Sequence, residues 1–102
     1  MWIFLPGSFI SVVQKPGDTD MLTVRARIQG DIESVFPEAH VEADKGTDYK
    51  YRARLSRQTV AQVLQDQVMN LNWGNFKGAV KDRKRHDAYM KVWRAMYAVQ
   101  GR

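Results

Sequence analysis

Residues 81 to 99 read KDRKRHDAYMKVWRAMYAV, and near the head of this segment Asp82, Arg85 and His86 stand three and four residues apart. On a helix that spacing lets the Asp82 carboxylate reach either side chain along one face, with Tyr89 one turn further on. Three chemistries fit such a group. It can be a hydrogen-bonded network that fixes the docking of its helix, because buried charges are paired. It can be a pocket or groove in which Arg85 and His86 receive an anion, the guanidinium offering a planar fork of donors. Or His86, oriented by Asp82, can move a proton, although no nucleophile or metal motif stands beside the pair.

A second constellation lies in two alternating stretches. Arg25 and Arg27 alternate with Val24 and Ala26, and Lys50, Arg52 and Arg54 alternate with Tyr49, Tyr51, Ala53 and Leu55. If these segments are neighbouring strands, five cations share one surface. Such a row neutralises phosphates, and each contact steepens the salt dependence of binding. The opposing reading is a solvated lattice of ion pairs in which Glu42 and Asp44, on an intervening strand, neutralise the arginines across it. Arg83, Lys84 and Arg85, with Lys81, Lys91 and Arg94, offer a further basic stripe. Trp73 and Phe76, set among the asparagines of NLNWGNF, either form a contact for a base or a protein partner or plug the end of the core where two helices turn.

Other chemistries have no footing. There is no cysteine, hence no disulfide, thiol catalysis or Cys-ligated zinc. His40 and His86 are the two histidines and stand in different elements, without an HExxH motif or EF-hand loop, so neither a metal nor a cofactor is expected. Neither GxGxxG, GxxxxGK[ST] nor GxSxG occurs. The chain is therefore read as a binding protein rather than an enzyme.

The elements that must position these residues follow from periodicity. Trp2 to Leu5 and Ser8 to Gln14 flank Pro6-Gly7 and form a hairpin or one bent strand. KPGDTD is a turn, and Leu22 to Gln29 alternates as a half-buried strand. Asp31 is expected to cap a short helix, Ile32 to Phe36, closed by Pro37. Ala39 to Ala43 reads as a third strand, with His40 facing solvent. DKGTD is a turn, and Tyr49 to Leu55 a fourth strand. The period then changes. Ser56 caps a helix carrying Val60, Val63, Leu64, Val68 and Leu71, NLNWGN breaks it, and Asn75 or Asp82 caps a last helix reaching Gln100. Its stripe of Tyr89, Val92, Trp93, Met96 and Val99 is expected on the core, with Trp93 meeting the tyrosines of the fourth strand.

Strands first and helices last predict an α+β fold: a small antiparallel sheet of about four strands packed against two C-terminal helices, with a short helix after the second or third strand. The 102 residues, 44% hydrophobic and 26% charged, read as a single domain over 1–102 with its own core. The opening MWIFLP lacks the basic region of a signal peptide, and no apolar run approaches a bilayer span, so no membrane association and a cytoplasmic location are expected. The net charge of +5 is unevenly spread. Residues 1–48 carry four basic side chains against eight acidic ones, and residues 49–102 twelve against three. That asymmetry suggests a polyanionic partner, unless the two halves neutralise one another in the fold.

GDIESVFPEA, DYKYRA, NFKGAV and DRKRHDAYMKVW together resemble a group of short proteins encoded in bacterial and phage genomes, which open with Met-Trp-Ile/Val-Phe and close with Arg-His-Asp-Ala-Tyr-Met-x-Val-Trp. The resemblance runs from Trp2 to about Tyr97. It implies a stand-alone small domain, one expectation being carriage by mobile elements, with Arg85, His86, Asp87 and Tyr89 in its recurring pattern. It brings no activity with it. The expected function is a non-enzymatic module binding nucleic acid or a nucleoprotein complex, interference with a host defence complex being one setting for it. The alternative is a protein-interaction or homodimerisation module without nucleic-acid binding.

Overall fold

In the computed structural model, which describes residues 1–43 and 47–101, five strands and four helices follow one another as β1 (Trp2–Leu5), β2 (Ser8–Val13), β3 (Met21–Ala26), α1 (Asp31–Val35), β4 (Glu42–Ala43), β5 (Tyr51–Ser56), α2 (Arg57–Met69), α3 (Phe76–Ala79) and α4 (Arg83–Gln100). The strands form one antiparallel sheet in the order β1-β2-β3-β5-β4. The fold is α+β, as the sequence pattern predicts, with one strand more than expected because Pro6-Gly7 makes a true hairpin of β1 and β2. The chain divides into two units, residues 1–72 and 73–102.

In the first unit, alternation sorts each strand onto two faces. Ile10 and Val12 of β2, Val24 and Ala26 of β3 and Ala53 of β5 point to one face, where Ile32, Val35 and Phe36 of the α1 segment and Val60 of α2 complete the buried core. Leu22, Tyr51, Leu55, Val63 and Leu64 pack around it partly buried. Helix α2 starts where Ser56 leaves the sheet, its hydroxyl accepting from the Thr59 N–H at 3.0 Å. Farther along, Val68 and Leu71 leave the sheet behind and are exposed.

Several local expectations are corrected. The second expected strand ends at Ala26, leaving Arg27 and Ile28 exposed beyond it. The third shrinks to Glu42–Ala43, and His40 is exposed outside any strand. The expected positions of Asp44, Lys45 and Gly46 lie outside the described residues. Asp31 does not cap α1: Gly30, at φ 94°, takes the cap position without a side-chain bond. Instead Asp31, only 4% exposed, accepts a hydrogen bond from the Phe9 N–H at 3.0 Å. β2 pairs with β3 only from Ser11 onward, so this carboxylate gives the Phe9 N–H the acceptor a ladder partner would have supplied.

In the second unit, the expected single helix from Asn75 is two. Asn75 caps α3, its Oδ1 accepting from the Gly78 N–H at 3.2 Å, and Asp82 caps α4, its carboxylate accepting from the Arg85 N–H at 2.8 Å. Val80, with extended backbone, separates them. Gly101, at φ 74°, closes α4 in the left-handed conformation that glycine adopts freely.

Candidate functional site

Pairing decides which cations come together. Ser11 of β2 lies opposite Arg25 of β3, Arg25 opposite Arg52 of β5, and Arg52 opposite Glu42 of β4. Thr23 lies opposite Arg54 one pleat away. Arg25, Arg52 and Arg54 therefore share the face of the sheet opposite α1 and α2. Two of the five predicted cations lie off the strands, Arg27 beyond the end of β3 and Lys50 ahead of β5.

Each cation meets a different fate. Arg54 forks onto Asp18 of the turn after β2, its Nη2 2.7 Å from Oδ1 and its Nε 3.3 Å from Oδ2. That hydrogen bond, with a smaller charge attraction, holds the Asp18 carboxyl below its ordinary value. Arg27 donates to the carbonyl and carboxylate of Asp48 at 3.1 and 3.3 Å. Arg54 and Arg27 are thus paired with the turn residues Asp18 and Asp48, partners that the alternation did not point to. Lys50 rides over the Tyr51 ring at 5.7 Å.

Arg25 and Arg52 differ. Arg25 donates through Nη2 to the Ser11 hydroxyl at 2.8 Å, and its guanidinium lies 4.4 Å from the centroid of the Tyr49 ring. Arg27 lies 4.2 Å from the same ring, so Tyr49, only 3% exposed, is buried between two guanidinium groups. It does not extend the hydrophobic core, as its place in the alternation suggested. The Nε atoms of both Arg25 and Arg52 are buried and have no hydrogen-bond partner. Two like charges directly opposite on paired strands repel, and an unmade hydrogen bond at a buried donor adds to the cost. A bound anion would relieve the repulsion.

The same row extends to the sheet edge, where Trp2 of β1 lies opposite Ser11. Trp2 meets Phe9 edge-on at 6.3 Å, and Phe4 stacks on Phe9 at 4.6 Å. This aromatic group was not among the residues selected from the sequence. A signal existed: Trp2, Phe4 and Phe9 alternate with Ile3, Leu5, Ser8 and Ile10, so both faces of the hairpin carry large apolar groups.

The second unit holds the remaining predicted residues. Asp82 contacts neither the Arg85 nor the His86 side chain in the way its spacing suggested, because its carboxylate caps the helix backbone. Arg85 donates to the Tyr89 hydroxyl at 3.3 Å, and His86 Nδ1 lies 3.5 Å from Asp87. Trp73, Phe76 and Tyr89 form a continuous aromatic stack, Trp73 to Phe76 at 5.3 Å and Phe76 to Tyr89 at 5.6 Å. Arg83 and Lys84 are exposed on the first turn of α4. The expected burial of Trp93 is not found: it is 48% exposed, stacks on Tyr97 at 5.4 Å and lies under the Lys77 ammonium at 4.9 Å.

Among the described residues no cluster of His, Asp and Glu could hold a metal ion, and no helix is long and apolar enough to cross a membrane. Comparison with protein-family models, curated proteins and solved structures finds no match.

Proposed function

We propose that the chain is a non-enzymatic binding module whose Arg25–Arg52 face receives the phosphates of a nucleic acid or nucleoprotein complex. The observation that carries this reading is the pair of arginines, Arg25 and Arg52, that face each other across the β3–β5 ladder. Ser11 orients one guanidinium and the Tyr49 ring backs it, leaving the other donors of the fork for a phosphate. Arg54 and Arg27, already paired with Asp18 and Asp48, add little net charge to the face.

The test is a salt titration of binding to short oligonucleotides, with wild type beside Arg25→Gln/Arg52→Gln. Removing two phosphate contacts should lower the slope of log affinity against log salt by about 1.4–1.8. An unchanged slope and affinity in the folded double variant would overturn the reading.

A protein-interaction role is favoured by a different observation, the exposure of Val92, Trp93, Met96, Tyr97 and Val99 along α4. Association through these side chains would be nearly insensitive to salt, which separates the two readings in the same titration.

A further inference from the structure

Building on the phosphate reading of the Arg25–Arg52 face, we propose that its ligand is a single strand of nucleic acid, with a base stacked on Trp2 while the backbone runs over the arginines. Trp2, Ser11, Arg25 and Arg52 occupy successive positions in one row across β1, β2, β3 and β5. With strands ~4.8 Å apart, Trp2 stands about 10 Å from Arg25 and about 14 Å from Arg52 along that row. An extended strand of a few nucleotides covers this span, placing a base at one end and phosphates at the other.

Trp2 has the two properties a stacking platform needs. It is 67% exposed and is the largest aromatic side chain of β1 and β2. It is also braced, through its edge-on contact with Phe9 and the Phe4–Phe9 stack behind it, so little freedom remains to be lost when a base arrives. Every base has a π-face, so such a platform accepts a strand without demanding a sequence. A duplex keeps its bases stacked on one another and would offer this row only its backbone.

The experiment uses the full chain with four labelled or competing probes: a short oligothymidine, an abasic strand of the same length, a duplex, and inorganic polyphosphate. Trp2→Ala should weaken oligothymidine binding by roughly tenfold without changing its salt slope, because the indole carries no charge. Trp2→Phe, which keeps an aromatic face, should recover most of the loss. Thermal melting of each variant checks that the hairpin is intact. The single-strand assignment is overturned if oligothymidine binds no more tightly than the abasic strand or the duplex, or if Trp2→Ala stays within about twofold of wild type. Those results with polyphosphate still bound would leave the phosphate surface standing. Failure of all four probes at low salt would remove the phosphate reading itself, and the stacking assignment with it.

Discussion

Replacing Arg52 with methionine should stabilise the free protein while weakening its hold on phosphate. The side chain lies directly across the β3–β5 ladder from Arg25, and like charges in that position cost up to about 1 kcal/mol. Its buried Nε has no partner, an omission worth about 1–3 kcal/mol. Methionine keeps a flexible stem of similar reach and removes both penalties. Against this stand the lost attraction to the opposite charge of Glu42, which lies across the β4–β5 ladder from Arg52, and some lost packing of the guanidinium, so the net gain expected is at most about 1 kcal/mol, or roughly 4–8 °C in Tm for a unit of this size. The assay is thermal or urea unfolding in a phosphate-free buffer, repeated with added phosphate. Phosphate at ten times its Kd should stabilise wild type by about 1.4 kcal/mol and Arg52→Met by much less. If Arg52→Met instead loses more than about 1 kcal/mol in the phosphate-free buffer, the guanidinium contributes to stability and the account of a pair strained for ligand is wrong.

Three further outcomes are expected. Asp31→Ala should cost about 2–3 kcal/mol in urea unfolding, since it strands the Phe9 N–H, whereas Asp31→Asn keeps an acceptor and should cost less. Asp82→Ala should remove about 1 kcal/mol as a lost helix cap, while His86→Gln should stay within about 0.5 kcal/mol because His86 reaches only Asp87; a large loss at His86 would restore the network role first considered for it. Asp18 titrates below its ordinary value in the folded protein, chiefly through its hydrogen bond with Arg54, so its stabilisation is present above the unfolded value and is lost as pH falls through the folded one. Asp18→Asn should therefore lower stability slightly at neutral pH, leave it unchanged below the folded value and so flatten the acid limb, as measured by unfolding midpoints across pH.

What could be read from the sequence is what repeats locally. Alternation at Leu22 to Ala26 and at Tyr51 to Leu55 marked two strands and assigned their arginines to a common side, because side chains on a strand change face at every residue. The cap signals at Ser56 and Asp82 marked helix starts because a side-chain oxygen within reach of an orphan N–H is a local arrangement. Spacing at Asp82, Arg85 and His86 was a weaker guide: three- and four-residue separations permit a contact, but the carboxylate had an unsatisfied backbone N–H nearer to hand.

The tertiary structure decided the rest, since it depends on which distant segments meet. Strand order put β5 beside β3 and left the acidic β4 at the edge, so Arg25 faces Arg52 instead of Glu42. It brought Asp18 to Arg54 and Asp48 to Arg27, drew Tyr49 between two guanidinium groups, and carried Trp2 into the arginine row. Within the second unit it stacked Trp93 on Tyr97 and set Lys77 over the Trp93 ring, contacts that the periodicity of the α4 stripe did not specify. A period states that a face is apolar; only the packing of the whole chain settles what, if anything, covers it.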